Sequence, residues 1–232
     1  MNSVSIPRIK TLLEKKENQI YTDAMKLIII LLCSLTLYAK EPHPIAKVNA
    51  WFKYEKSLTE GRFFKFASLA TVDQNGNPHA RMIEIITFNQ KNGALFFTHD
   101  KTEKIKHLSF NPHASLNAYL SKTHRQLCVD GIVHQIPREE AEKAWKRMPR
   151  FMKLSFVVSN KGELLESREA LETRKKELEK EFPGDIPCPS AFIGYRLQPE
   201  RIIFFEVHRR SFPSKEIAVL ENDDWVYTLV EP

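Results

Sequence analysis

The stretch Asp73-Gln74-Asn75-Gly76 constrains this chain more than any other. Its Asn-Gly pair supplies the positive backbone φ that a tight hairpin turn needs. Before it runs Phe63 to Val72, rich in aromatic and small residues, and after it runs Pro78 to Phe88. A second turn, Asn89-Gln90-Lys91-Asn92-Gly93, leads into a third apolar run from Ala94 to His99. Strands joined by turns this short form an antiparallel meander, because parallel neighbours need a crossover of a dozen or more residues. The chain has only seven glycines, and none forms G-x-G-x-x-G. A doubly wound nucleotide-binding domain is therefore excluded as a reading.

The rest of the chain extends the pattern. Ile45 to Leu58 places Ile45, Val48, Trp51, Phe52 and Leu58 on one helical face. Thr102 is a candidate N-cap for a helix through Leu108, with Glu103 in its first turn, and Asn111-Pro112 ends it. His113 to Leu120 and Arg125 to Gln135 read as strands. Pro137 opens a helix that Pro149 interrupts. Glu163 to Phe182 reads as a longer helix, packed along the stripe Leu164, Leu171, Leu178 and Phe182. Ala191 to Val207 is a long strand, and Ile217 to Leu220 and Trp225 to Val230 form a last hairpin. About eight strands with few helices predict a mainly β fold, a closed or nearly closed antiparallel barrel with helices outside it.

Composition narrows the function classes. At 232 residues, with 42% hydrophobic and 10% aromatic residues, the chain suits one globular domain. Residues 1–40 hold six Lys/Arg and three Asp/Glu, so half of the net charge of +6 lies in that extension. The folded remainder has no charge excess that calls for nucleic acid. Cys33, Cys128 and Cys188 show no metal-ligand spacing, so no metal site is expected.

The extension contains a signal-like segment, 25–39. Met25-Lys26 precedes the apolar run LIIILLCSLTLYA, and Ala39 is followed by Lys40-Glu41-Pro42. The run is shorter than the roughly 20 residues of a membrane span. Three readings stay open: a secretory signal starting at Met25, an uncleaved membrane anchor, or a buried helix. The first implies an exported, periplasmic protein.

The chemistry gathers in the meander. Arg81 follows the first turn, Phe97-Thr98 closes the third strand, and Thr102 and Lys104 stand at a helix start. A basic group, a hydroxyl pair and a helix N-terminus suit a phosphate-bearing cofactor.

Five ordered motifs carry a family resemblance: SLATVDQNGNPHARMI, GALFFTH, HRQLCVDG, PCPSAFIGYRLQPERIIFFE and ENDDWVYTLVEP. From about Glu41 to Pro232 the chain resembles the pyridoxamine 5′-phosphate oxidase family of FMN-binding split barrels. The resemblance implies a Greek-key-type antiparallel split barrel over 41–232, a cytoplasmic location, and a homodimer with FMN at its interface. It implies a small-molecule substrate, hydride transfer to flavin N5 and reoxidation by oxygen. The alternative within the family is a flavin- or ligand-binding barrel without oxidase activity.

Carried over position by position, the resemblance assigns FMN contacts to Arg81, Met82, Ile83, Phe97, Thr98, Thr102, Lys104, Gln126, Lys161, Gly162, Phe205 and Lys215. Glu103 replaces a basic residue, Phe205 a tryptophan and Lys215 an arginine. On the substrate side the departures are larger. Ser211-Phe212-Pro213 stand in place of the family's Arg-x-His. Ile86, or Thr87 since one residue is inserted here, stands where a lysine is expected. Ala144, Met148 and Met152 replace a tyrosine, an arginine and a serine that grip the substrate phosphate. Arg147, Arg150, Arg209 and Arg210 are the candidate replacements. Loss of phosphate contacts points to a more apolar substrate. The family's phenazine-biosynthesis oxidases share the missing lysine and an Ala-Trp-x-Lys-Arg stretch similar to Ala144-Trp145-Lys146-Arg147.

Overall fold

The computed structural model describes residues 25–26, 42–60, 63–159 and 163–232. The apolar run 27–39 and the pair Lys161-Gly162 lie outside these described residues. The chain divides into two units, Met1–Pro42 and His43–Pro232, and every element below belongs to the second. Among the described residues no helix is long and apolar enough to cross a membrane.

The first hairpin forms where the Asn-Gly turn demands it. β1 (Phe66–Val72) pairs antiparallel with β2 (Pro78–Glu84), with Ala70 opposite Ala80. The Asp73 carboxylate accepts the main-chain N–H groups of Asn75 and Asn77, both at 2.9 Å, and Gly76 takes a φ of +85°. The return strand does not run unbroken to Phe88. Ile83, Ile85 and Phe88 are all buried, so one residue more than strict alternation intervenes between Ile85 and Phe88. There the Ile85 N–H donates to Lys65 O on one side, and the Ile86 N–H donates to Leu95 O on the other. β3 (Thr87–Asn89) then pairs with β4 (Gly93–His99). One stretch of chain thus leaves one edge of the sheet and joins the opposite edge, which closes the barrel.

The strand order is β2-β1-β5-β6-β7-β4-β3, with β5 at His113–Leu120, β6 at Arg125–Gln135 and β7 at Phe192–Glu206. β6 occupies one edge of β7 along nearly its whole length. The other edge is shared: 192–197 pair with β4, and 201–206 pair with β8 (Ser214–Glu221), which carries β9 (Asp224–Val230). The division falls at Pro199, which has no N–H to give to a ladder. Opposite it the β6 register shifts between Asp130 and Gly131. A Cβ at Gly131 would lie 1.9 Å from the Gln198 carbonyl oxygen, so only glycine fits. The expected barrel is present, with nine strands among the described residues because the return strand is broken in two.

Helices cover the barrel from two sides. α1 (Pro44–Ser57) buries Ile45, Val48, Trp51 and Phe52 in the main core, where Trp51 meets Phe204 edge-on at 5.2 Å. α2 (Glu103–Phe110) follows β4. α3 (Arg138–Arg147) and α4 (Arg150–Val157) pack in a second cluster with Trp145, Leu95 and Phe192. Pro149 does interrupt a helix, but it also starts the next, since a proline at a helix start forfeits no hydrogen bond. α5 (Arg168–Glu181) is shorter than its leucine stripe suggests and has no buried residue. Only Leu178, with Phe182 at the cap, packs against the second cluster, and Leu164 is fully exposed.

Gly131→Ala is expected to lower the free energy of unfolding by about 1–3 kcal/mol, the usual cost of overpacking. Gly184→Ala, where a Cβ meets nothing within 4 Å, is expected to change it by less than about 0.5 kcal/mol. Urea unfolding of the two variants checks the contrast.

Candidate functional site

The site starts at the end of β4. Ala94 and Phe96 point into the main core, and Leu95 points into the outer cluster. Alternation carries Thr98 to the barrel mouth. Its hydroxyl receives a hydrogen bond from Lys104 Nζ at 3.0 Å and lies 3.3 Å from the Thr102 hydroxyl. Thr102 occupies the N-cap position of α2, as its sequence context predicts, but its hydroxyl donates to His99 O at 2.8 Å. Its side chain makes no cap hydrogen bond to the helix start. Two hydroxyls, an ammonium and a helix N-terminus therefore converge, a donor set that fits a phosphate group.

Beside this cradle opens a cavity of about 570 Å³. Phe97, Thr98, His99, Thr102, Lys104, Met82, Ile83 and Ile86 line one side. Met148 and, from α4, Phe151, Met152, Ser155 and Phe156 line the other. A second, smaller cleft of about 280 Å³ brings Gln126, Phe205 and Lys215 together with Cys128. Sheet register explains it, since Gln126 stands opposite Phe205 and Phe205 opposite Lys215. An outward groove lies between the two sites, bearing Phe66, Ser68, Met82, Asn117, Tyr119 and Cys128. Three strand spacings separate Met82 from Cys128, roughly 14 Å.

The matches to known proteins cover most of this chain. Residues 61–180 fit the model of the family described as pyridoxamine 5′-phosphate oxidase. A pyridoxine/pyridoxamine 5′-phosphate oxidase of Leptospira biflexa is 32% identical over 82% of this chain and 89% of its own. A pyridoxine-5′-phosphate oxidase of Bos taurus is also 32% identical, over 82% of this chain and 78% of its own. This chain belongs to the pyridoxamine 5′-phosphate oxidase family. Among solved structures it is similar to PhzG of Burkholderia lata 383, crystallised with tetrahydrophenazine-1-carboxylic acid. The TM-score is 0.76 and the identity 26%, over 84% of this chain and 96% of that one. A pyridoxamine 5′-phosphate oxidase-related, FMN-binding protein of Nostoc punctiforme shares the fold, with a TM-score of 0.67 at 18% identity over 83% of this chain and all of that one.

Against the family pattern the residues sort into three groups. Phe97, Thr98, Thr102, Lys104, Met82 and Ile83 come together at the cavity, and Gln126, Phe205 and Lys215 come together at the cleft. The candidate substrate arginines are elsewhere. Arg150 donates to the carbonyl oxygens of Phe182 and Gly184. Arg147 is exposed at the last turn of α3, and Arg209 and Arg210 are exposed in the turn before β8. None of the four lines the cavity or the cleft. Sequence reasoning missed His99, Phe151, Ser155, Phe156 and Phe192 as cavity residues. The signal for most of them was the second helix after Pro149.

Arg81 is turned inward instead of lining the cavity. Its Nη1 donates to Leu69 O at 3.1 Å and to the Thr71 hydroxyl at 2.6 Å. The Thr71 oxygen lies 2.9 Å from His107 Nδ1, and both residues are buried. Arginine can only donate, so Thr71 accepts from Arg81 and keeps its own hydrogen to offer His107. Giving it to His107 requires an unprotonated Nδ1. Burial, with His79 at 4.5 Å between ring centroids and Arg81 nearby, pushes the His107 pKa below its ordinary 6.5, although Asp73 and Glu103 oppose the shift. The unfolded chain therefore takes up this proton first as pH falls, and stability falls with pH below about 6.5. His107→Gln is expected to remove this part of the slope, as read from urea midpoints between pH 5 and pH 8.

Proposed function

We propose that this chain is an FMN-dependent oxidase whose substrate is an apolar ring system and not a phosphorylated pyridine. The carrying observation is the cavity wall. The positions where the family grips a substrate phosphate are Ala144, Met148 and Met152, and the two methionines line the cavity with Phe151 and Phe156. Thioethers and phenyl rings stabilise flat apolar surface and offer a phosphate nothing. The tricyclic acid bound by PhzG supports the same class of substrate here.

The cofactor reading rests on the cradle. Thr98, Thr102 and Lys104 would hold the FMN phosphate, with Arg81 behind them as a fixed positive charge. When bound, FMN supplies a two-electron acceptor that oxygen re-oxidises. Gln126, Phe205 and Lys215 would meet the ring from a second copy of the chain. A homodimer laid across the outward groove brings one copy's cleft over the other's cavity, and an isologous interface repeats the contact twice. Exposed Phe64, Phe66, Met82 and Tyr119 support that interface, since an uncovered apolar face of this extent marks an association surface.

One observation favours a second reading, a flavin-binding barrel without oxidase activity. Ser211-Phe212-Pro213 replace the family's Arg-x-His, and Phe212 is 89% exposed.

Purified protein is expected to be yellow and to release FMN on denaturation. Lys104→Ala removes one charged phosphate contact, worth about 1.5–3 kcal/mol, which raises the FMN dissociation constant roughly 10–150-fold in a fluorescence titration. Peroxide release is expected to be faster with a reduced tricyclic heteroaromatic than with pyridoxine or pyridoxamine 5′-phosphate. The opposite order would sink the substrate reading. Full FMN loading with no turnover of any of them would establish the binding-only alternative.

A further inference from the structure

Two side chains of opposite fixed charge line the cavity of about 570 Å³, Glu84 and Lys104. Lys104 bonds Thr98 and belongs to the cradle. Glu84 has no such duty. It is the last residue of β2, and its chain neighbours Ile83 and Ile85 are both buried. Strand alternation therefore turns Glu84 to the outward face with Met82, which is 64% exposed. There it stands half-buried, opposite Phe66 of β1. The rest of its side of the cavity is Met82, Ile83 and Ile86, whose side chains have no hydrogen to donate.

Among the described residues, no group donates a hydrogen bond to the Glu84 carboxylate. Lys65 is near enough for the two charges to act on each other. Burial pulls the Lys65 ammonium below its ordinary pKa, and Glu84 opposes that shift. Yet Lys65 Nζ donates to Ile86 O at 2.7 Å and forms no ion pair with Glu84. Lys215 lies in the separate cleft. The remaining polar side chains on the cavity wall, Thr98, His99, Thr102 and Ser155, carry no fixed charge.

An apolar ring seated in this cavity would strip water from the carboxylate. An anion that loses its water and gains no donor is strongly disfavoured. An N–H on the ring removes that penalty with a charge-assisted hydrogen bond, and a protonated amine adds charge attraction. A carboxylate on the ring adds to the penalty, because like charges then meet in a site of low dielectric.

We propose that Glu84 selects the substrate: the cavity takes an apolar ring that carries an amine or a ring N–H, and rejects one that carries a carboxylate. The proposal rests on the apolar-ring reading above and narrows it. Glu84 acts as a specificity residue. It holds the N–H edge of the ring, and holding one edge also fixes how the ring is turned between the two walls of the cavity.

The test is equilibrium dialysis of flat tricyclic probes against the FMN-loaded protein at neutral pH. 9-Aminoacridine is a cation there, acridine is neutral, and acridine-9-carboxylate is an anion. Wild type is expected to bind the amine at least about tenfold more tightly than the acid, with acridine between them. Glu84→Gln keeps the size and loses the charge, and is expected to bring amine and acid within about threefold of each other. Glu84→Lys is expected to reverse the order. FMN uptake, read from flavin fluorescence, is expected to be the same in wild type and both variants. Wild type that binds the acid as tightly as the amine, or a preference left unchanged in Glu84→Gln, would overturn the role of Glu84 and leave the apolar-ring reading in place. FMN-loaded protein that binds none of the probes would end that reading and this proposal together, as would protein that takes up no FMN.

Discussion

The ladder between β6 and β7 carries the rest of the molecule. It runs from Arg125 opposite Glu206 to Gln135 opposite Tyr195, with one interruption. Because β7 is longer than any strand that could pair with all of its far edge, that edge is divided. Its first part completes the barrel through β4, and its second part carries the β8–β9 hairpin. Pro199 and Gly131 mark the division. The proline withholds a donor where the partner changes, and the glycine lets β6 approach within contact of Gln198. The functional map follows from this. The cradle at Thr98 belongs to the barrel part of β7, and the Gln126–Phe205–Lys215 cleft belongs to the hairpin part.

The barrel's closure positions the other half of the site. β2 and β3 are one sequence run with one residue too many for strict alternation. The extra residue turns Ile86 outward, and its N–H bonds Leu95. This brings Met82, Ile83 and Ile86 alongside Phe97 and Thr98 at the cavity. A strand that continued straight to Phe88 would leave the barrel open and the cavity without that wall.

Much of this was legible in the sequence. The Asn-Gly turn, the meander, the closing strands and the residues of the cradle follow from local rules that the tertiary structure does not override. The less legible parts are those set by contacts distant in sequence. The break at Ile85–Ile86 shows only as an irregular apolar spacing. The stripe on α5 has helical spacing, yet Leu164 lies outside the helix fully exposed, and only Leu178 and Phe182 reach the second cluster. The bonds that Arg81 makes to Leu69 and Thr71, in a network with a buried His107, join residues far apart in sequence. His99 looked like one histidine among several, since nothing in the chain's order reveals that Phe156 will hold its ring.

The arrangement of the arginines bears on the apolar wall of the cavity. A phosphate taken into a cavity needs positive charge or several donors there, because an unpaired buried charge costs several kcal/mol. Arg150 is near enough in sequence to Met148 and Met152 to supply that charge. It is committed to the carbonyl oxygens of Phe182 and Gly184, which end α5 and start the connector. Recruiting it would leave two main-chain acceptors without their donor and loosen the segment leading to Ile186, whose carbonyl accepts the Trp145 N–H at 2.8 Å. Trp145 in turn braces Phe156, and Phe156 braces His99. The arginine that could bring charge to this cavity is thus engaged in holding the segment behind its apolar wall.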